Sequence, residues 1–331
     1  MNKPTIAVIR GDGIGVEVID SALQVLNAVS FQADYVDAEA GYECFEKHGN
    51  PLPDSTLEIA KQSDAILFGA ITTPPDVKNY PSVIIQLRKS LDLFANLRPS
   101  QTYPGVGRFG DEKVNVLVVR ENTEGLYVQE GKRKGDQAYN ILRRSETACR
   151  RIVEFACELA SKRQKKLAIA HKANVVKPAD ELWIEVAREV IQGHDLEVSF
   201  EIVDALCTKL IMNPASFDVI VAPNFYGDIL SDLMAGIVGS LGLCASANIG
   251  TSHALFEPVH GSAPDIAGQG IANPLATLLS AALMLHHLGE FEKAKSIERA
   301  VVHLLQGAVK TPELGGSAST QTVTQALIDL L

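Results

Sequence analysis

Asp228 and Asp232 stand four residues apart in the segment 224–232, NFYGDILSD. At that spacing two carboxylates project from one face of a helix. Like charges so placed weaken a helix unless a cation compensates them, and ligands that are all oxygen favour Mg2+ or Mn2+ over zinc. Apolar residues follow at helical spacing, so the helix borders a core. The pair is therefore a metal site or, alternatively, an acidic and solvated helix face.

Three arginines, Arg88, Arg98 and Arg120, stand near the predicted ends of helices and strands. Forked guanidinium groups are natural partners of carboxylates, although each could also form an ordinary surface salt bridge. Together with a cation they would bind a small polycarboxylate. Tyr127 and Lys172 are candidates for proton transfer, because a lysine near cations and partly desolvated loses its proton more easily and suits a general base.

The glycine-rich segment 11–15, GDGIG, follows a predicted strand and precedes a predicted helix. It lacks the GxGxxG spacing that brings a dinucleotide pyrophosphate to a helix N-terminus. We therefore predict a tight turn that uses the freedom of glycine at positive φ, and no Rossmann site.

Alternating strands and helices must position these residues, which predicts an α/β fold. Short β-branched runs predict strands at 6–9, 65–68, 114–119, 167–170, 198–203 and 219–221. Apolar periodicity predicts helices at 16–29, 83–93, 146–162, 180–191, 229–241, 274–288 and 297–305. The polar segment 124–144 has no helical period and is either an extended arm or a mobile surface loop.

Composition limits the classes of partner. The 331 residues are 46% hydrophobic and 21% charged, with a net charge of -10, as in a globular protein with a substantial core. A basic face that would bind nucleic acid or an anionic membrane is missing. The five cysteines form no CxxC pair and leave an odd one over, which favours free thiols in a reducing compartment. With neither a signal-like leader nor a long apolar run, we expect a cytoplasmic protein.

The order of the motifs resembles that of the β-decarboxylating 3-hydroxyacid dehydrogenases, which oxidise isocitrate, homoisocitrate, 3-isopropylmalate or tartrate. The resemblance covers essentially the whole chain. Its carriers are GDGIG at 11–15, the two arginine segments 87–88 and 96–99, RENTEGLY at 120–127, HKANV at 171–175, GDILSD at 227–232 and EPVHGSAPDIAG at 257–268. This many motifs in one order are a specific signal.

The resemblance implies an isopropylmalate dehydrogenase-like fold with two α/β domains and a non-Rossmann cofactor site. A large cofactor-binding domain would comprise 1–94 and 240–331, and a small domain with the dimerisation arm and helices would comprise 95–239. It also implies a homodimer or higher homo-oligomer with shared active sites, in which Lys172 and Asp204 serve the neighbouring subunit's site.

Roles follow from the same resemblance. Asp228 and Asp232 of one subunit with Asp204 of the other would hold Mg2+ or Mn2+, which would chelate the 2-hydroxy acid and lower the pKa of its hydroxyl. Arg88, Arg98 and Arg120 would bind the substrate carboxylates. Lys172 would take the hydroxyl proton as hydride leaves for the nicotinamide, and Tyr127 would help to protonate the enol after CO2 is lost.

For the cofactor, the resemblance implies a family-specific loop. Asp265 would favour NAD, because a carboxylate accepts hydrogen bonds from a ribose diol and repels a 2'-phosphate. The other residues expected at the cofactor are Thr72, Thr73, Asn174, Glu257, His260, Gly261, Ser262, Ala263 and Asn273.

The substrate can be argued from segment 81–88, PSVIIQLR. Isopropylmalate enzymes carry an acidic residue where this chain has Pro81. Isocitrate enzymes usually carry Asn where it has Ile84, four residues before Arg88, and a buried isoleucine cannot satisfy a carboxylate. With Ser82 and Ile84 as substrate contacts, the pattern resembles homoisocitrate dehydrogenases. The distal carboxylate of that longer substrate would need a cation farther away, and either arginine of 143–144 in the arm is a candidate.

We therefore expect NAD-dependent oxidative decarboxylation of homoisocitrate to 2-oxoadipate and CO2, a step that suggests lysine biosynthesis. NAD-dependent isocitrate dehydrogenase is the first alternative, followed by 3-isopropylmalate or tartrate dehydrogenase. One methylene is worth only about 1–3 kcal/mol of discrimination, so homoisocitrate and isocitrate can share the site. A regulatory subunit of an isocitrate dehydrogenase is the non-enzyme alternative, but such subunits usually lose the metal or proton-transfer residues that this chain retains.

Overall fold

The computed structural model describes residues 3–74, 76, 77 and 80–331. The chain packs as two compact units. Unit 1 comprises Met1–Leu93, Tyr103–Asp111 and Val238–Leu331, and unit 2 comprises Phe94–Thr102 and Glu112–Ile237.

Strands and helices alternate along the described residues. The strands are β1 Thr5–Gly11, β2 Asp34–Asp37, β3 Ala65–Ala70, β4 Ala95–Gln101, β5 Asn115–Glu121, β6 Gly131–Lys134, β7 Gln137–Asn140, β8 Lys166–His171, β9 Glu197–Ile202, β10 Val219–Ala222, β11 Ala245–Ile249 and β12 Ala254–Pro258. The α-helices are α1 Gly15–Ala28, α2 Tyr42–His48, α3 Asp54–Gln62, α4 Val83–Ser90, α5 Glu146–Ser161, α6 Ala179–Ile191, α7 Val203–Met212, α8 Asn224–Val238, α9 Leu275–His287, α10 Phe291–Gln306 and α11 Thr320–Ile328.

In unit 1, β1 lies between β2 and β3 and is parallel to both. Strand β12 pairs in parallel with β3, and β11 pairs antiparallel with β12. Every residue of β3, AILFGA, is buried, as expected of a parallel strand covered on both faces. Its side chains join β1 and α4 in one hydrophobic core that includes Ile9, Phe68 and Leu87.

In unit 2, β5, β10, β8 and β9 form parallel pairs in that order, and β4 runs antiparallel to β5. Helix α5 buries an apolar stripe that includes Ile152, Val153 and Ala156, and Ser145 caps its start by accepting the amide of Ala148. Parallel strands end at one edge, so the residues that follow β5, β8, β9 and β10 share that edge, where open α/β sheets bind their ligands.

The α/β fold predicted from the sequence is confirmed. Several boundaries differ from the prediction; helix α10, for example, begins at Phe291, six residues before the predicted start. Two further differences concern the site. Strand β9 ends at Ile202 and α7 begins at Val203, which we had assigned to the strand. Helix α8 begins at Asn224, five residues before the predicted start, so both Asp228 and Asp232 lie inside it.

The polar segment 124–144 contains the hairpin of β6 and β7, in which Lys134 pairs with Gln137. Gly135 at the turn has φ +62°, a conformation that a two-residue hairpin loop requires. All eight residues of the two strands are exposed. The segment therefore forms an extended arm, which is one of the two alternatives predicted for it.

The glycine-rich turn at 11–15 is confirmed. Gly11 and Gly13 have φ +73° and +57°, and α1 begins at Gly15. The five cysteines are free thiols, as predicted. Among the described residues, the helices are too short or too polar to span a membrane.

Candidate active site

Arg120, at the end of β5, has a buried side chain that is held by α8. Its Nε and Nη2 donate to Oδ1 of Asn224 at 3.1 and 2.8 Å. The guanidinium stands 5.0 Å from the ring of Tyr127. The first turn of α8 thus fixes the arginine at the carboxyl edge of the unit 2 strands.

The carboxylate of Asp228 lies at the centre of this group. It forms an ion pair with Nη1 of Arg120, accepts a hydrogen bond from the Tyr127 hydroxyl, and lies 3.4 Å from Nη1 of Arg98. Burial, together with the hydrogen bond to Asp228, raises the pKa of Tyr127. The tyrosine therefore stays protonated at neutral pH and can donate a proton.

Arg98 connects the two aspartates of α8. Its Nε donates to Asn96 at 2.8 Å, and its Nη1 donates to Ser231 at 2.6 Å and lies 3.3 Å from Asp232. Burial raises the pKa of Asp232, and the neighbouring Asp228 adds to the effect, although Arg98 opposes it. The raised pKa means that the ionised form of Asp232 is disfavoured here, and a bound cation would act in the opposite direction.

Gly227 permits α8 to lie on Arg120. A Cβ atom at this position would stand 2.6 Å from Cγ and 2.7 Å from Cβ of Arg120. The glycine of the GDILSD motif therefore has a packing reason, because a larger residue would push the helix away from the arginine.

Lys172 directly follows β8, and Asp204 lies in the first turn of α7. The lysine Nζ lies 2.8 Å from Oδ1 of Asp204 in the same chain, with side chains 23% and 68% exposed. The hydrogen bond from the lysine lowers the pKa of Asp204. The two residues that we predicted to serve a neighbour's site thus come together on one chain.

The predicted metal ligands do not form a complete set within one chain. In the described part of the molecule, one group of three metal-binding side chains has its donor atoms within 4.8 Å of one another, and that group is Glu39, Cys44 and His48. If they bind a metal, Asp228 and Asp232 would supply two oxygen ligands from one helix. Oxygen donors alone fit Mg2+ or Mn2+.

Arg88 lies on α4 in unit 1, with a side chain 8% exposed. It donates to Oδ1 of Asn248 at 3.1 Å and to Oε1 of Glu257 at 3.4 Å. Ile84 lies one turn earlier on the same helix and is half-buried, with part of its side chain against the unit 1 core. Ile84 is therefore more accessible than the buried isoleucine that we predicted, and Ser82 is half-buried at the start of the helix.

Asp12 joins the glycine-rich turn to the predicted cofactor loop. Its buried carboxylate accepts the amide of Thr72 at 2.8 Å, and the Thr72 hydroxyl lies 2.6 Å from Oγ of Ser262. The carbonyl of Ser262 accepts the amide of Ile14 at 2.9 Å, and a Cβ at Gly13 would meet that carbonyl oxygen at 2.2 Å. Thr72 and Ser262, two of the predicted cofactor residues, thus lie together beside the glycine-rich turn. We call Asp12, Thr72 and Ser262 the cofactor cradle.

His260 and Asn273 each bury a polar atom that has no hydrogen-bond partner among the described residues, Nε2 of the histidine and Nδ2 of the asparagine. Burial lowers the pKa of His260, so the ring is neutral at pH 7. Unpartnered buried polar atoms fit a site that a polar ligand completes. The remaining predicted cofactor residues in this loop differ in exposure, with Gly261 and Asp265 exposed and Ala263 packed beside Ile14 and Ala272.

Two predicted cofactor residues, Thr73 of unit 1 and Asn174 of unit 2, are exposed. Asp12, Asn224 and Asp180 also position the predicted site residues, although the sequence did not predict this role for them. Asp180 is buried and accepts the Lys172 amide and Nη2 of Arg144, each at 2.6 Å. A signal existed for Asp12, which stands between two glycines directly after a strand.

Comparisons with known proteins find a full-length match. Residues 5–331 match the family model described as isocitrate/isopropylmalate dehydrogenase. The chain is 48% identical over 329 residues to an isocitrate/homoisocitrate dehydrogenase of Thermus thermophilus, covering 98% of both chains. It is 46% identical to a 3-isopropylmalate/3-methylmalate dehydrogenase of Methanocaldococcus jannaschii, covering 95% of both. The solved isocitrate dehydrogenase of Methylococcus capsulatus superposes with a TM-score of 0.94 at 41% identity, covering 99% of both chains.

Proposed function

Since the chain belongs to the isocitrate/isopropylmalate dehydrogenase family and is therefore an oxidative decarboxylating dehydrogenase, we propose that homoisocitrate is its substrate and NAD+ its oxidant. Members of the family use a divalent metal with NAD or NADP and act on small hydroxy acids. The observation that carries the proposal is the Asp228 carboxylate, which contacts Arg120, Arg98 and Tyr127 at the edge where the unit 2 strands end. The products would be 2-oxoadipate and CO2.

Asp228 and Asp232 would hold the cation, Mg2+ or Mn2+, together with Asp204 of a second subunit. The raised pKa of Asp232 supports this assignment, because a cation would compensate the charge that Arg98 leaves uncompensated. When bound, the cation would stabilise negative charge on the 2-oxygen of the substrate, and the nicotinamide would accept hydride from C2.

Arg98 and Arg120 would bind substrate carboxylates in unit 2, and Arg88 would bind one from α4 in unit 1. All three guanidinium groups are held by neighbours, Asn96 and Ser231 for Arg98, Asn224 for Arg120 and Asn248 for Arg88. Such fixed forks lose little conformational entropy when they bind a carboxylate.

Lys172 would accept the proton of the 2-hydroxyl at Nζ while C2 is oxidised. The bond between C3 and its carboxyl group then breaks, CO2 leaves, and the bonding electrons form the C2–C3 double bond of an enolate. Tyr127 would give its hydroxyl proton to C3, a role that the position of its hydroxyl beside Asp228 supports. Oxidation and decarboxylation thus use different protein groups.

The cofactor would bind to unit 1 along segment 257–265. His260 and Asn273 bring unpartnered buried nitrogen atoms to the adenosine half, while Thr72 and Ser262 form the cradle. We assign NAD rather than NADP because Asp265 is exposed and would repel a 2'-phosphate. We further propose that 1–94 with 240–331 forms the cofactor-binding domain and 95–239 the small domain.

The oligomer would be a homodimer or a larger homo-oligomer with shared sites. Lys172 and Asp204 form an ion pair on the same chain, so they would enter a neighbour's site together. The exposed β6–β7 hairpin would serve as a dimerisation arm.

Homoisocitrate is favoured over isocitrate because Ile84 offers no hydrogen bond one turn before Arg88. For the distal carboxylate, Arg143 is the better candidate of the arm, since its side chain is 55% exposed and that of Arg144 only 6%. Isocitrate is the second candidate, because the similar enzyme of Thermus thermophilus carries both substrates in its name.

The proposed reaction is tested by incubating the purified chain with homoisocitrate, NAD+ and Mg2+ and measuring NADH, CO2 and 2-oxoadipate. Equal amounts of the three products, all lost when EDTA removes the metal, are expected. NADH without CO2 would contradict the decarboxylation, and activity only with NADP+ would contradict the assignment from Asp265. A chain without any activity would instead fit the regulatory subunit.

A further inference from the structure

Three side chains with different donor atoms converge around α2 in unit 1, apart from the residues assigned to the reaction. They are Glu39, Cys44 and His48, and the donor atoms of all three lie within 4.8 Å of one another. Nε2 of His48 is 3.2 Å from Oε2 of Glu39. The proposed chemistry uses none of them.

Local structure explains why they meet. Cys44 and His48 stand four residues apart on α2, which places them on one face of the helix. The start of α2 is fixed, because the amides of Tyr42 and Glu43 donate to the Asp12 carboxylate at 2.8 and 3.0 Å. Two of the three donors therefore stand on a helix whose start is fixed, and Glu39 lies in the segment just before it.

The spacing fits a tetrahedral zinc ion. With zinc–ligand bonds of about 2.0–2.3 Å, two donors in a tetrahedral site stand roughly 3.3–3.6 Å apart. The separation of His48 from Glu39 is already 3.2 Å. The Cys44 thiol, which contacts the carbonyl of Asn50 at 3.5 Å, needs only a small side-chain movement to join them.

Access to the thiol is also present. Cys44 itself is buried, but it lines a surface cavity of about 340 Å³ together with Glu39, Glu43 and Lys47. Glu39 and His48 are exposed at the same place. An ion can therefore enter from solvent, and a water molecule can complete its coordination.

We propose that Glu39, Cys44 and His48 bind one Zn2+ ion at α2 of unit 1. Sulfur, imidazole and carboxylate donors suit zinc, whereas Mg2+ prefers oxygen ligands. Zinc here would join the helix to the segment that precedes it. Because Asp12 bonds both α2 and Thr72, the ion would also stabilise the neighbourhood of the cofactor cradle.

The test uses Co2+ as a spectroscopic substitute for Zn2+ on the whole protein in excess Mg2+, which occupies sites built of oxygen ligands. A thiolate ligand produces a sulfur-to-cobalt charge-transfer absorption in the near ultraviolet that carboxylates cannot produce. We expect this absorption to saturate at one Co2+ per chain and to disappear when Zn2+ is added. Zn2+ should also raise the Tm.

The variants are Cys44→Ser, His48→Gln and Glu39→Gln. Cys44→Ser should abolish the absorption, and the other two should weaken Zn2+ affinity by at least about 10- to 100-fold, the effect typical even of residues that only support a ligand. Glu39 and His48 are exposed, so their variants remain informative if the buried cysteine variant misfolds. Cys207→Ser is the control and should leave the absorption unchanged. No absorption in the parent protein, or one that only Cys207→Ser removes, would overturn the proposal.

Discussion

Arg144 and Asp180 form a buried ion pair, with Nη2 and Oδ1 2.6 Å apart and side chains 6% and 0% exposed. The other oxygen of Asp180 accepts the amide of Lys172, also at 2.6 Å. Arg144 stands 5.9 Å from the Trp183 ring and 5.7 Å from that of Tyr226. The pair thus connects the arm to the backbone of the lysine that we propose as the base.

Replacing Asp180 tests whether this pair positions Lys172. Asp180→Asn leaves Arg144 buried without its counter-charge, which should cost about 3–5 kcal/mol of unfolding free energy. If the Lys172 backbone also shifts, kcat should fall by up to about 100-fold, with KM for NAD+ unchanged. Unfolding curves and steady-state kinetics measure both effects.

Asp218→Asn is the matched control for stability. Asp218 is also fully buried and bonds Nε of Arg163 at 2.7 Å, but it lies before β10, at the opposite edge from Lys172. Asp218→Asn should lower the unfolding free energy. At temperatures well below the Tm it should leave kcat nearly unchanged. Equal losses of kcat in both variants would show that Asp180 has only a structural role.

Shared active sites can be tested by mixing two inactive variants, Lys172→Met and Asp228→Asn. If Lys172 serves its neighbour, a mixed dimer contains one site with both native residues. Random exchange of subunits should then restore about a quarter of the parent activity. Mixtures that stay inactive, although subunit exchange is verified by mass, would place both residues in one chain's site.

Asp232 should respond to metal in a direction set by its pKa. The folded pKa is raised, so the carboxyl contributes to stability below its unfolded pKa of about 3.9, and that contribution is lost as pH rises through the folded pKa. Asp232→Asn should therefore raise the Tm at neutral pH without metal. Mg2+ at 100 times its Kd should increase the unfolding free energy of the parent protein by about 2.7 kcal/mol and so raise its Tm. It should not raise the Tm of the variant.

Asp195→Asn is the control for this experiment. Asp195 is an exposed carboxyl whose pKa is lowered by Lys165, so its replacement should not raise the Tm, and the response to Mg2+ should persist. A full Mg2+ response in Asp232→Asn would remove that residue from the metal site.

His260 predicts how stability depends on pH. Its pKa is lowered by burial, so the stability from the neutral ring is present above the unfolded pKa of about 6.5 and is lost as pH falls through that value towards the folded pKa. When the pH is lowered from about 7.5 to 5.5, the Tm of His260→Gln should decrease less than the Tm of the parent. It should also raise KM for NAD+.

His287→Gln separates these two effects. Desolvation also lowers the pKa of His287, which lies on α9 with its ring 5.6 Å from that of Phe256. In this variant the Tm should fall less than in the parent as the pH is lowered, but KM for NAD+ should be unchanged. If both variants change KM alike, His260 has no specific role at the cofactor.

Residue patterns predicted the fold class because β-branched runs such as that of β3 and the amphipathic face of α5 are dictated locally. They also placed Arg120 and Lys172 at strand ends and Asp228 near the start of a helix, as the structure shows. The hydrogen-bond partners of the site residues could not be predicted from the sequence. Asn224 lies 104 residues from Arg120 in sequence, and Asp12 lies 60 residues from Thr72, so only packing reveals these contacts.

Weak local signals explain the missed elements. Helix α2 is only seven residues long and buries only Cys44, so it has no apolar stripe to detect. The hairpin of β6 and β7 is exposed on every residue, so hydrophobic alternation could not mark it. Its Gly135-Asp136 turn was the available signal.

The most direct test of the account is kcat/KM with NAD+ and Mg2+ for homoisocitrate, isocitrate and 3-isopropylmalate, measured on one preparation. We predict the highest value for homoisocitrate, with isocitrate lower by about 10- to 200-fold, the discrimination that one methylene provides. A higher value for isocitrate or 3-isopropylmalate would contradict the substrate that we assign from Ile84.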